Sequence, residues 1–189
     1  NLPSPTPVTT PTFTPMIAVD PGTLKFASMG SIIDGAYQSY PAGGPSNPRW
    51  SVSGQDTWDL VEESKEITLG TTAGDYSAEA IDIQTFADVG LMLSVGARGK
   101  VNSSVFVYNN SKVKISYTDF LEMEMTEGTV FLKLESRSEI AQITLPNHQN
   151  AVAKLTGGSM LLHLNGDEVQ LWCLKDDCSL EFGKKSERT

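Results

Sequence analysis

The chain reads as an all-β protein of short antiparallel strands, arranged as a sandwich, a barrel or a β-solenoid, behind a Pro/Thr-rich N-terminal stalk. Three observations lead there. Apolar and polar residues alternate through the second half, turn residues recur at short intervals, and no segment of useful length carries the helical period. The composition agrees: a hydrophobic fraction of 39% with 16 Gly and 10 Pro suits a turn-rich globular chain rather than a coiled coil or a disordered one.

Residues 1–15 hold five prolines and five threonines, which exclude a helix or a central strand and favour extended polyproline-II geometry. The segment is expected to act as a semi-rigid spacer. A first β region follows over 16–98. LKFASMGSII, EITLG and AEAIDIQTF read as strands, separated by the Gly/Pro-rich PAGGPSNP and by TTAGDY. Residues 57–67 are compatible with a short helix.

The region 99–183 is patterned more regularly, before a charged tail at 184–189. Val113, Ile115 and Tyr117 alternate with Lys114 and Ser116; Leu121, Met123 and Met125 with Glu122, Glu124 and Thr126. Val130, Leu132 and Leu134 then oppose Lys133 and Glu135, and Met160, Leu162 and Leu164 oppose His163 and Asn165. A period of two sends one set to a core and the other to solvent. Turns are expected at Asn109-Asn110, Glu127-Gly128, Pro146-Asn147, Gly157-Gly158 and Asn165-Gly166.

Cys173 and Cys178 flank Leu174-Lys175-Asp176-Asp177, with alternating apolar residues on either side. That pattern reads as a β-hairpin with a polar tip, whose register sets the cysteines opposite each other within disulfide reach. A metal site needs more ligands, and the spacing is not that of a redox motif. A structural disulfide is expected over free thiols, and with it an oxidising compartment.

The net charge of −9 and pI of about 4.6 argue against nucleic acid, which requires a basic footprint. No apolar run is long enough to span a bilayer as a helix, so membrane attachment is expected only through a segment preceding Asn1. Catalytic and metal residue types are sparse. His148 lies in a turn and His163 in the polar phase of a strand, each read as solvent-facing or hydrogen-bonded. The acidic groups Asp56, Asp59, Glu62, Glu63, Glu66 and Asp75, Glu79, Asp82, Asp88 read as a solvated face, without a calcium-loop pattern. No cofactor and no enzyme activity are expected. Tyr37, Tyr40, Trp50 and Trp58 surround the loop PAGGPSNPR. The simpler reading has the tryptophans fill the core of the N-terminal half; the alternative has the aromatics stack on sugar rings or anchor a protein. Asn102-Ser-Ser and Asn109-Asn-Ser are sequons, with Asn102 and Asn109 as glycosylation sites only in a glycosylating host.

The stretch from Gly99 to Phe182 resembles the FecR-like domain, an extracytoplasmic β-module. The resemblance rests on Gly99-Lys100-Val101, Asn109-Asn110-Ser111 and Met125-Thr126-Glu127-Gly128-Thr129-Val130. It continues through Ile143-Thr144-Leu145-Pro146, Lys154-Leu155-Thr156-Gly157-Gly158-Ser159 and Cys173-Leu174-Lys175-Asp176-Asp177-Cys178. Leu145 separates Thr144 from Pro146, and Gly157-Gly158-Ser159 stands where Gly-Thr is usual. The resemblance covers a little under half the chain and brings no catalytic residues. It implies a protein-interaction or signal-sensing module of the cell envelope, extracellular or periplasmic, with a protein partner or a second copy as ligand. A cell-surface glycan-binding module and a subunit of a surface layer or sheath are the alternatives.

Overall fold

A computed structural model describes residues 22–33, 36–39, 47–97 and 103–183. The stalk at 1–15, Tyr40, Asn102 and the tail at 184–189 lie outside them. The protein is all-β, a curled, half-barrel sheet of fourteen strands. In chain order these are β1 (Gly22–Ile33), β2 (Ala36–Ser39), β3 (Arg49–Val52), β4 (Asp59–Leu60), β5 (Glu66–Leu69), β6 (Ser77–Ala78) and β7 (Ala80–Gln84). The second half adds β8 (Gly90–Ala97), β9 (Ser103–Val107), β10 (Lys112–Tyr117), β11 (Leu121–Lys133), β12 (Ile140–Leu145), β13 (Ala151–Asn165) and β14 (Glu168–Glu181).

Three long strands, β11, β13 and β14, each serve both halves of the curl. The first part of β11 pairs with β10 and, in parallel, with β12; its last part pairs with β9 and β13. The first part of β13 likewise pairs with β12 and its last part with β11. The sheet thereby folds into two layers. Layer I runs β4-β3-β7-β10-β11-β12-β13-β14, and layer II runs β6-β5-β1-β8-β9-β11-β13-β14, with β2 beside the far end of β1. Strands from before and after residues 98–102 interleave throughout, as β7 with β10 and β8 with β9. One apolar cluster from Leu24 to Leu164 fills the space between the layers. Its members are the inward phase of most strands, as the alternation requires; β2, β4 and β14 contribute no buried side chain.

The crossings occur where the expected turns at Glu127-Gly128 and Gly157-Gly158 stand. Neither reverses the chain; both bend a continuous strand. Gly128 (φ 97°) and Gly158 (φ 67°) adopt the left-handed region that a side chain resists. A Cβ on Gly128 would strike Ser111, and one on Gly158 the carbonyl oxygen of Lys175. Glycine thus does two things at a corner: it turns the backbone and admits the neighbouring strand. The turns expected at Pro146-Asn147 and Asn165-Gly166 do reverse the chain, whereas Asn109-Asn110 does not: β9 and β10 run on in one direction, both antiparallel to β11 on either side of Gly128.

The cysteine segment is also corrected. It is no hairpin: residues 168–181 form one strand, β14, which follows β13 around the corner. Cys173 faces Met160 and Cys178 faces Leu155, with the register slipping between them. Asp176 (φ 61°) makes the bend. The bend brings the Cys173 and Cys178 Cα atoms to 5.6 Å, and a disulfide closes it. The hairpin pattern and a bulged edge strand present the same residues. What separates them is β13, whose matching bend lies fifteen to twenty positions earlier.

Residues 57–67 contain no helix. Asp59–Leu60 pairs with β3, and a turn at Glu62-Glu63-Ser64-Lys65, with Ser64 at φ 67°, leads into β5. Val61 alone in this stretch before β5 is buried, whereas Trp58 and Leu60 are exposed. A helix would need an apolar stripe that these residues do not supply.

Candidate functional site

The four aromatics around the Gly/Pro-rich loop do not form one site. Trp50 is buried at 6% exposure, its ring 5.9 Å from that of Phe26 and capped by the Lys65 ammonium at 5.1 Å. Trp58 is 42% exposed on the outer side of layer I. Tyr37 sits on the outer side of layer II, edge-on to Phe106 at 5.8 Å, with its hydroxyl hydrogen-bonded to Ser28 Oγ at 2.7 Å. Tyr40 lies outside the described residues. One tryptophan is core, and the other two described aromatics look out from opposite layers.

The outer side of layer II carries an apolar row that the alternation alone does not announce. Cross-strand register aligns Met92 with Phe106, Phe106 with Phe131, Phe131 with Leu161, and Leu161 with Trp172. Five adjacent strands at ~4.8 Å spacing give a row of about 19 Å. Phe106 is buried there, although it belongs to no part of the main core. Tyr37 and Tyr108 cover it, the latter edge-on at 4.7 Å, and burial raises the Tyr108 hydroxyl pKa above 10. The row is half-buried at Phe131 and Leu161 and ends in the open at Trp172, beside Leu174 at 58% exposure.

That open end is the edge of the sheet. Among the described residues β14 pairs with β13 alone, leaving the other side of a 14-residue strand unpaired. The other terminal strands are short, two residues each in β4 and β6 and four in β2. Short terminal strands blunt an edge, whereas a long one offers backbone donors and acceptors to any extended chain. Between Glu168 and Glu181 at its two ends, β14 carries charge only at Lys175, Asp176 and Asp177, in the disulfide-closed bend that separates two straight stretches. Phe182, just beyond the strand, is 59% exposed.

A cavity of about 540 Å³ opens between the layers at one end, bordered by Tyr117, Asp119, Phe120, Ser103, Ser136 and Glu139. The Glu139 carboxylate accepts from Ser103 Oγ at 2.8 Å and from the Ser136 N–H at 3.3 Å. Burial raises the Tyr117 hydroxyl pKa, and the negative charges of Glu139 and Asp119 add to the rise against a hydrogen bond from the Ala97 backbone. Tyr117 is therefore a protonated donor throughout the neutral range. The cavity supplies hydroxyl and carboxylate groups, but its described lining contains no imidazole or thiol to make a nucleophile–base pair.

The histidines are spent on structure. His148 Nε2 donates to the Gly166 carbonyl at 2.9 Å, tying the turn at 146–150 to the β13–β14 turn. His163 Nδ1 and Thr129 Oγ1 share a hydrogen bond of 2.7 Å between β13 and β11. Of the acidic residues, Glu66 pairs with Lys25 at 3.8 Å and Asp82 lines a groove beneath Trp58. No group of three or more metal-ligating side chains converges among the described residues. Asn109 is exposed in its turn. Its sequon partner Ser111 is fully buried, and Ser111 Oγ accepts the Thr129 N–H at 2.9 Å.

Comparison of the chain with protein-family models, with curated proteins and with solved structures finds no match.

Proposed function

We propose that this chain is an extracytoplasmic binding module that takes up a protein partner by strand addition along β14. One observation carries the reading: a 14-residue edge strand stands unpaired among the described residues, with Trp172 and Leu174 exposed beside it. Main-chain hydrogen bonds along such an edge provide affinity, and the outward side chains provide selectivity. The apolar row from Phe106 to Trp172 lets an added strand continue a surface already suited to burial. Large aromatics at an edge of this kind are the residues that dominate protein interfaces.

The compartment is part of the same proposal. The closed Cys173–Cys178 bridge is favoured where thiols are oxidised, outside the cytoplasm. The Pro/Thr-rich segment at 1–15 suits a spacer that holds a module away from its attachment, and the resemblance of 99–182 to FecR-like modules points to the cell envelope. The partner is then an envelope protein or a second copy of the chain, met in signalling or assembly.

Site-directed photocrosslinking in intact cells of the source tests it. A photoreactive residue at Leu174 should give a discrete adduct of one mass, including a self-adduct if the partner is a second copy. The same residue at Leu60, also exposed but on layer I, should not. Trp172→Lys should abolish the Leu174 adduct by placing a desolvated charge in the contact. Adducts of equal yield at both positions, or none at Leu174, would refute strand addition at β14.

A further inference from the structure

The outer side of layer I holds a groove of about 250 Å³ that the protein-docking edge does not use. Trp58 forms one wall, and the floor is the outward phase of β7, β10 and β11: Asp82, Gln84, Lys112, Lys114 and Glu124. Register makes Asp82, Lys114 and Glu124 direct cross-strand neighbours, with Gln84 and Lys112 in the adjoining row. The wall is fixed by β4, which pairs Asp59 with Trp50 of β3, and by the Val61 N–H donating to the Pro48 carbonyl at 3.0 Å. Trp58 is thus placed, just before β4, as an exposed platform above a polar sheet.

The charges on the floor say what class of ligand fits. Asp82 and Glu124 are negative, and Lys112 and Lys114 positive, so the lining has no net sign. An anion or a cation would meet as much repulsion as attraction. Lys112 pairs with Glu127 at 3.2 Å, whereas Asp82, Lys114 and Glu124 enter none of the ion pairs among the described residues. Their donors and acceptors are left to whatever fills the groove. A purely apolar ligand would desolvate them without replacement, at a cost that outweighs its contact with one indole. What matches is a neutral ring, apolar on one flat face and ringed by hydroxyls that both donate and accept.

We propose that the Trp58 groove binds a neutral sugar ring. Its C–H face stacks on Trp58, while its hydroxyls donate to Asp82 and Glu124 and accept from Lys114 and the Gln84 amide. The groove is smaller than the ~300–1,000 Å³ of drug-sized pockets, so it accommodates a unit of a chain or a chain end rather than a whole oligosaccharide. Sugar binding here is separate from protein docking at the Trp172 end of β14, which looks out from the opposite layer, and either function stands without the other.

The test is amide NMR titration of the isotope-labelled protein with neutral tetrasaccharides of α- and β-linked glucose, mannose, galactose and N-acetylglucosamine. Sulfated and amino-sugar oligomers serve as the charged comparison. At least one neutral sugar should shift the amides of Asp82, Lys114 and Glu124 in a saturable manner and quench Trp58 emission. Trp58→Ala should weaken it at least tenfold while Trp58→Tyr retains part of the binding. Both variants should keep the wild-type melting temperature, because Trp58 is outside the core. Trp172→Ala, on the other layer, should leave the titration unchanged. Binding of only the charged oligomers, binding indifferent to Trp58→Ala, or no shift with any neutral sugar would overturn the proposal.

Discussion

Reducing the Cys173–Cys178 bridge should weaken the fold by about 2 kcal/mol without dismantling it. The bridge closes a loop with a sequence separation of only five. The chain-entropy relation gives a short loop of this kind ~2 kcal/mol at 25 °C, less than half of what a hundred-residue loop would give. Neither cysteine adds much by packing, since Cys173 is exposed and Cys178 only partly buried against the core. The main core does not depend on the bridge, because β14 contributes no fully buried side chain. In a protein of this size ~2 kcal/mol corresponds to a fall in Tm of roughly 4–8 °C. Reversible urea unfolding with and without a phosphine reductant measures the difference on one sequence, and intact mass after alkylation reports the thiol state of each sample. Cys173→Ser adds a variant in which the cross-link is lost and the partly buried Cys178 sulfur kept. An unreduced sample that takes up two alkyl groups would refute the bridge. A bridge present but worth nothing on reduction would refute the account of β14 as a strand held in its bend by the cross-link.

Trp50→Ala should cost about 3–5 kcal/mol through the cavity left against Phe26, whereas Trp50→Phe should cost under ~1.5 kcal/mol. The indole N–H has no acceptor among the described residues, so phenylalanine breaks no hydrogen bond, and urea midpoints of the two variants check the split. Tyr108 and Tyr117 hold their protons above the ordinary pKa of 10.0. A raised folded-state pKa gives stability that is complete below the unfolded value and lost as pH rises through the folded one. Both tyrosines should therefore ionise last in an ultraviolet titration, and stability should fall above pH 10. Tyr117→Phe should shallow that fall, and an unchanged slope would count against the cavity electrostatics.

The strands were legible because most lie on one core with the other face wet, the condition under which apolar and polar residues alternate. The corners were not. Gly157-Gly158 has the same local chemistry in a turn as in a bend, and the choice rests on Lys175 passing close by from β14. The cysteine segment failed for the same reason, since its partner strand is distant in sequence. The tryptophans show another limit: Trp50 and Trp58 are eight residues apart with similar neighbours, and only β3's pairing to both β4 and β7 sends one inward. The apolar row on layer II did leave a trace. Val105-Phe106-Val107 and Val130-Phe131-Leu132 are unbroken apolar runs where alternation would place a polar residue, the mark of a strand covered on both faces.

Strands that belong to both layers leave no seam along which the molecule can separate. In a two-sheet protein joined only by loops, one sheet can fray while the other persists, and a cut loop can release half the structure. Here β11 and β13 carry main-chain ladders through the corner, so loosening either layer strains hydrogen bonds in the other. Amides of β7 in layer I and β9 in layer II are then expected to exchange with deuterium through a single opening event. A chain nicked in one surface loop should remain in one piece and melt in one step.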